Sequence, residues 1–123
     1  MSLELAIVAA HAAAEKTLDE TVLLDVGEHI AITDYFVVTS GRNDRQVRAI
    51  LDEVGAQVRA AGGSPPRQVE GRGDLRWVLM DYGSFVVHVF QTEAREFYGL
   101  ERLWADSPRV EYEPALAGSP ARR

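Results

Sequence analysis

The chain has 123 residues, of which 46% are hydrophobic and 26% charged, and this composition is that of a single soluble globular domain. The formal net charge of −6 disfavours direct capture of a phosphate backbone and favours a basic protein as the partner. Because the chain has no cysteine, disulfides, thiolate nucleophiles and cysteine-ligated zinc are excluded. No basic region precedes the first apolar run, so we expect neither a signal peptide nor a membrane span, and we expect a cytoplasmic protein.

The first half of the chain predicts two strands between two helices. A first helix is predicted from a Ser2 cap to about Lys16, and alternation predicts a strand from Thr21 to Val26. A second, more buried strand follows over residues 35–40. The next helix is the most clearly defined, because apolar residues recur at i, i+3, i+4, i+7 and i+11. These residues are Val47, Ile50, Leu51, Val54 and Val58, with Asn43 or Asp44 as the cap and Gly62-Gly63 at the end.

The second half predicts a loop, a hairpin and a last helix. The loop holds residues 70–74, and two apolar strands follow on either side of residues 81–84. Thr92 is predicted to cap a helix with Phe97, Leu100, Leu103 and Trp104 on its apolar side. The domain is therefore predicted to span residues 1–112. Residues 113–123 have the composition of a disordered tail.

The predicted order is α-β-β-α-β-β-α, which indicates an α/β fold with one mixed sheet and helices packed against it. A crossover from Val38 through the long helix to Trp77 is expected to be right-handed, and it would make those two strands parallel. The remaining neighbouring strands are predicted to form hairpins.

Two registers are open for the hairpin. A two-residue loop at Tyr82-Gly83 places Trp77 opposite His88, whereas a bulged turn places His88 opposite Arg76. Tyrosine is a poor first residue for a type I′ turn, so we favour the bulged turn. His88 is expected to be a half-buried histidine that is hydrogen-bonded in or beside the sheet.

In neither register does Asp81 lie beside His88, because the two residues are expected at opposite ends of the hairpin strands, about 20 Å apart. An Asp–His catalytic pair is therefore not predicted. The segment Thr39 to Asp44 could hold a phosphate between a strand and a helix, but it lacks the glycines and the lysine of a P-loop.

Metal chemistry is weakly supported. Asp25, Asp34 and Asp81 could be imagined as a carboxylate set, but no D-x-D pair is present on these strands. The three histidines, which are His11, His29 and His88, have no ligand spacing. No cofactor is predicted. What remains unusual is the aromatic content of segments that should be exposed, above all Tyr82, since hairpin tips project into water.

Three long motifs carry a family resemblance. DYFVVTSGRNDRQVRAI (residues 34–50), WVLMDYGSFVVHVF (77–90) and REFYGLERLW (95–104) closely resemble the Iojap family, the ribosomal silencing factors called RsfS. TVLLDV, which contains Asp25, and the Glu70-Gly71 pair match the family pattern in order and spacing. The resemblance covers residues 3–112, which is almost all of the chain outside the tail.

The resemblance implies a nucleotidyltransferase-like α/β fold without a working nucleotidyltransferase site, so the protein is expected not to be an enzyme. It also implies binding to the large ribosomal subunit through a basic ribosomal protein of the intersubunit face, the fourteenth of the large-subunit series. Such a factor blocks joining of the small subunit and represses translation when nutrients are limiting. The free protein is further expected to be able to form a homodimer.

Partner contacts are predicted from exposed aromatic residues and nearby carboxylates, which can anchor on a protein and pair with its lysines or arginines. The predicted partner-binding residues are Glu70, Trp77, Asp81, Tyr82, Phe97 and Tyr98. Two other hypotheses stay open. One is a small phosphoryl or nucleotidyl transferase that uses the three aspartates, and the other is a self-associating structural module.

Overall fold

The computed structural model describes residues 2–112, and this part of the chain contains four helices and five strands. The predicted tail, residues 113–123, lies outside the described residues. The elements are α1 (Ser2–Ala14), β1 (Val22–Asp25), β2 (Tyr35–Gly41), α2 (Asp44–Ala60), β3 (Gln68–Glu70), β4 (Trp77–Asp81), β5 (Phe85–Gln91), α3 (Thr92–Tyr98) and α4 (Leu100–Leu103).

The strands form one mixed sheet in the order β1-β2-β5-β4-β3, which confirms the predicted α/β class. β2 and β5 are parallel, and every other neighbouring pair is antiparallel. The prediction that β2 runs parallel to the strand of Trp77 is wrong, because β4 is antiparallel to β5, and β5 is the strand that runs parallel to β2. β5 is buried almost throughout, as a central strand must be, whereas β4 alternates between buried and half-exposed residues.

The short edge strand β3 was not predicted, and its last residue, Glu70, was expected to lie in a loop. β3 pairs with β4 through Gln68, Val69 and Glu70, which lie opposite Asp81, Met80 and Leu79. Only Val69 packs on the core, so three residues with two polar side chains carry too little periodicity to identify a strand. The consequence for the site is that Glu70 has a defined position in the sheet.

The two faces of the sheet are covered differently. α1 and α2 pack on one face, which we call the helical face, and all five apolar residues predicted for α2 are buried there. Asn43 is the cap of α2, since its side-chain oxygen accepts from the backbone N–H of Gln46 at 2.9 Å. The other face, which we call the open face, packs against Ala94 of α3 and Leu100 of α4.

The predicted last helix is divided in two. Gly99 has a left-handed backbone (φ 59°) that ends α3 and begins α4, so the prediction of one continuous helix is wrong. Thr92 is the first helical residue rather than the cap. Its hydroxyl donates to Asp19 Oδ2 at 2.7 Å and lies 3.2 Å from the Gly41 carbonyl oxygen, which places the start of α3 at the end of β2.

Both predicted hairpin registers are wrong. The turn consists of Gly83 and Ser84, and the Tyr82 N–H donates to the Phe85 carbonyl at 2.9 Å. Trp77 therefore lies opposite Phe90, and Leu79, not Trp77, lies opposite His88. Gly83 is the first residue of this two-residue turn. Its φ of 89° is a backbone conformation that glycine adopts without strain.

Candidate docking surface

Residues of β4 that alternate along the strand point to the open face. Side chains two apart in a strand share a face, so Trp77, Leu79 and Asp81 lie together there. Glu70 joins them, because it lies directly opposite Leu79 in β3. Leu79 was not among the predicted contact residues, although alternation from Trp77 and Asp81 would have identified it.

Aromatic rings connect β4 to the last helices. The Trp77 ring centroid is 4.9 Å from that of Tyr98 and 4.9 Å from that of Phe90, on which it stacks. Tyr98 in turn meets Phe97 edge to face at 5.1 Å. Phe97 is 76% exposed and Tyr98 45% exposed. A row of aromatic rings that is open to solvent at one end is typical of a protein-binding site.

Carboxylates border this row. Glu70 is exposed and accepts a hydrogen bond from the Gln68 side chain, and Asp81 Oδ1 accepts from the Gly83 N–H at 2.8 Å. Within the described part of the chain neither carboxylate has an ion-pair partner. Both are therefore available to cationic side chains of another protein. We call Glu70, Trp77, Leu79, Asp81, Phe97 and Tyr98 the β4 surface.

Tyr82 does not project into water as predicted. Its ring stacks on that of buried Phe85 at 4.8 Å and packs against the core of the helical face. Its hydroxyl is buried and has no hydrogen-bond partner in the residues described, and burial raises the pKa of the phenol. Because Tyr82 follows Asp81 in the strand, it points to the face opposite the β4 surface.

His88 is a buried structural histidine, 4% exposed, beneath the β4 surface. Its Nδ1 accepts a hydrogen bond from Trp77 Nε1 at 3.1 Å, and its ring meets Phe36 edge to face at 4.5 Å. The expectation of a hydrogen-bonded histidine in the sheet is confirmed, with fuller burial than predicted. Burial lowers the pKa of His88 from 6.5 to about 4, so the ring is neutral at physiological pH.

The predicted separation of Asp81 and His88 is wrong. Asp81 lies opposite Val86, which is two residues before His88 on the same face, so the two side chains are diagonal neighbours. No hydrogen bond joins them, since Nδ1 of His88 is bonded to Trp77 and Nε2 has no partner within residues 2–112.

The titration of His88 predicts an acid-dependent loss of stability. Between about pH 6.5 and about pH 4 the unfolded chain binds a proton at His88 that the folded chain does not, so stability is complete above this range and falls as the pH is lowered through it. We expect the free energy of unfolding to fall by about 2 kcal/mol between pH 7.5 and pH 5 on this account. His88→Gln keeps an acceptor for Trp77 but does not titrate. Urea unfolding at both pH values should show a much smaller difference for this variant, and an equal difference would contradict the assignment.

Polar groups of the segment Thr39 to Asp44, in which a phosphate site was weighed above, make hydrogen bonds within the protein. The Arg42 N–H donates to the Gln46 side chain at 2.7 Å, and Asn43 caps α2. Within the same segment, Ser40 donates to Asp19 Oδ2 at 2.7 Å and accepts from Arg95 Nη1 at 2.9 Å. These contacts join the ends of β2 and α3, and sequence patterns did not indicate them.

The carboxylates considered for metal binding do not form a cluster. Across residues 2–112, no group of three or more His, Asp or Glu side chains is arranged to hold a metal ion. None of the helices in that range has the length and apolar character needed to cross a membrane.

The comparisons with known proteins agree with the motif resemblance. Residues 1–123 match the family model described as ribosomal silencing factor during starvation, and the chain belongs to this family. It is 37% identical over 114 residues to the ribosomal silencing factor RsfS of Halalkalibacterium halodurans, with 93% of this chain and 97% of that protein covered.

A mitochondrial relative and a solved structure extend the comparison. Over 84 residues the chain is 32% identical to the mouse mitochondrial assembly of ribosomal large subunit protein 1, with 67% of this chain and 37% of that protein covered. The fold matches the crystal structure of a protein from Chromobacterium violaceum with a TM-score of 0.79 and 27% identity, over 99% of this chain and 97% of that one.

Proposed function

We propose that this protein binds the large ribosomal subunit through a basic ribosomal protein on its intersubunit face, the fourteenth of the large-subunit series, and thereby represses translation when nutrients are limiting. The observation that carries the proposal is the β4 surface, in which exposed aromatic rings lie beside carboxylates that have no ion-pair partner among the described residues. Membership of the ribosomal silencing factor family supports it, as does the similarity to a relative named for assembly of the large ribosomal subunit.

The chemistry of the β4 surface suits such a partner. Aromatic side chains bury a large area at a small cost in rotamer entropy, which makes Trp77, Phe97 and Tyr98 good anchors. Glu70 and Asp81 lie at the edge, where they can pair with lysine or arginine and speed the encounter. The net charge of −6 repels bare RNA phosphate, so the protein is directed to a basic protein within an RNA-rich particle.

The proposed action is steric and makes or breaks no covalent bond. A protein of this size on the intersubunit face occupies space that the small subunit needs, so each bound copy prevents one joining event. Repression then depends only on occupancy of the large subunit. Neither a nucleotide nor a metal ion is part of this mechanism, and the protein is proposed not to be an enzyme.

Co-sedimentation with separated ribosomal subunits tests the proposed partner. We expect the protein to sediment with large subunits and to stay in the supernatant with small subunits. Binding should weaken as the salt concentration rises, because paired surface charges are screened. Sedimentation with small subunits alone, or with neither subunit, would overturn the proposal.

We also propose that the free protein forms a weak homodimer through part of the β4 surface. A monomer rarely leaves exposed aromatic residues such as Phe97 uncovered. Light scattering over a concentration series should show a dimer that dissociates on dilution or on addition of large subunits. A mass that stays that of a monomer over the whole series would count against the dimer.

A further inference from the structure

A pocket of about 380 Å³ opens beside the β4 surface and shares Leu79 and Asp81 with it. Its wall also includes the apolar side chains of Phe36 and Val86. Thr33 and His88 line it as well, and we call this cavity the His88 pocket. Its volume is at the lower end of the range for ligand sites, which suits one side chain of a docked protein.

Two buried polar atoms of the His88 pocket have no hydrogen-bond partner in residues 2–112. They are Nε2 of His88, which is 4% exposed, and Oγ1 of Thr33, which is 6% exposed. Native proteins pair nearly all of their buried polar atoms, so two unpaired atoms in the lining of one cavity require an explanation. A ligand that brings the missing partners provides it.

The hydrogen bond from Trp77 determines which ring nitrogen of His88 carries the proton. An indole N–H can only donate, so Nδ1 of His88 must be the unprotonated acceptor. A neutral imidazole then carries its proton on Nε2. Nε2–H is therefore a buried donor without an acceptor among the described residues, and the Thr33 hydroxyl is a second unpaired donor from a residue that lines the same pocket.

The charges that line the pocket restrict its occupant. Arg67 and Asp81 both line it and carry opposite charges, which favours a neutral group. Lysine and arginine have no acceptor for Nε2–H of His88, and a carboxylate has no donor for Asp81. A primary amide has both, because its oxygen accepts and its NH₂ group donates.

We propose that the His88 pocket receives the amide side chain of an asparagine or glutamine of the ribosomal protein that docks on the β4 surface. This inference rests on the proposed function. The amide oxygen accepts from His88 Nε2–H and from the Thr33 hydroxyl. The amide NH₂ group donates to Asp81 through Oδ2, since Oδ1 already accepts from the Gly83 N–H.

Thr33→Val tests this inference because it should change stability and binding in opposite directions. The substitution keeps the shape of the side chain and removes a hydroxyl that has no partner among the described residues. The variant should melt at or above the temperature of the wild-type protein, since a buried unpaired polar group is removed. Its affinity for purified large subunits should fall about tenfold, the effect of one lost hydrogen bond to a buried group.

Ser107→Ala is the matched control. Ser107 is 5% exposed and its hydroxyl is also unpaired in the described residues, but it does not line the His88 pocket. Its removal should leave affinity unchanged. The weakening caused by Thr33→Val should also be independent of salt, because it involves a neutral contact, whereas the weakening caused by Glu70→Gln should shrink as salt rises.

The outcomes separate this inference from the proposed function. If wild-type protein binds large subunits and Thr33→Val binds equally well, the proposed function stands and the pocket has no amide occupant. If Thr33→Val both melts lower and binds weakly, the hydroxyl has an internal role and the inference is overturned. If wild-type protein does not bind large subunits, the proposed function fails and this inference fails with it.

Discussion

Phe97→Ala should weaken binding to the large ribosomal subunit about thirtyfold, or about 2 kcal/mol, while the fold is unaffected. Phe97 is 76% exposed, so the free protein gains little stability from its ring. Its main described ring contact is the edge-to-face packing on Tyr98. On a bound partner the same ring would be buried, and the loss would appear mainly as faster dissociation.

Leu18→Ala is the matched control for Phe97→Ala. Leu18 is 92% exposed and lies outside the β4 surface. Its substitution by alanine therefore also removes exposed apolar area. Both variants should melt like the wild-type protein, and only Phe97→Ala should lose affinity in co-sedimentation. Equal affinity of the two variants would remove Phe97 from the interface.

Gly71→Ala should destabilise the protein by about 3 kcal/mol, a large effect for one methyl group. Gly71 has φ 92°, a conformation that alanine adopts only with strain. A Cβ atom there would lie 2.1 Å from the backbone carbonyl oxygen of Trp77, so β3 and β4 could not keep their present separation. Since Trp77 belongs to the β4 surface, the remaining folded protein should also bind large subunits more weakly.

Gly73→Ala provides the comparison for this glycine. Gly73 has no positive φ, and nothing lies within 4 Å of the position its Cβ would take. Its substitution should change the free energy of unfolding by no more than about 0.5 kcal/mol. Urea unfolding of the two variants measures the difference. Comparable stabilities would show that the close approach of Gly71 to Trp77 does not exclude a side chain at position 71.

Local patterns in the sequence predicted the elements that depend on local physics. α2 was predicted residue by residue because it is amphipathic and its five apolar residues form one buried stripe. The parallel pair β2 and β5 is formed by strands that are far apart in the chain, and no local pattern identified which of the later strands would become central. β4 and β5 are both largely apolar on their two faces, and the crossover was predicted to reach the strand of Trp77, which lies one place further from β2 in the sheet.

In the candidate surface as well, local alternation was predicted correctly and the position that depends on strand pairing was not. The alternation of β4 placed Trp77 and Asp81 on one face whatever the pairing, so that part of the prediction did not depend on the turn. The position of Tyr82 did depend on it. With Gly83 and Ser84 as the turn, Tyr82 becomes the last paired residue and points to the helical face instead of the hairpin tip.

The His88 pocket could not be predicted from the sequence, because its lining residues come from separate elements. Thr33 precedes β2 and His88 lies within β5, and only the folded sheet brings them to one cavity. The separation of Asp81 and His88 was overestimated for the same reason, since a change of register alters which residues are diagonal neighbours. Pairing between distant segments, not local propensity, determines this part of the site.

The most direct test of the account is the formation of joined ribosomes from separated subunits, followed by light scattering. Large subunits that are first incubated with the protein should join small subunits less, in proportion to the fraction of large subunits occupied. Phe97→Ala at the same concentration should restore most of the joining. If the protein saturates the large subunits and joining proceeds at the normal rate and extent, steric repression by this protein is contradicted.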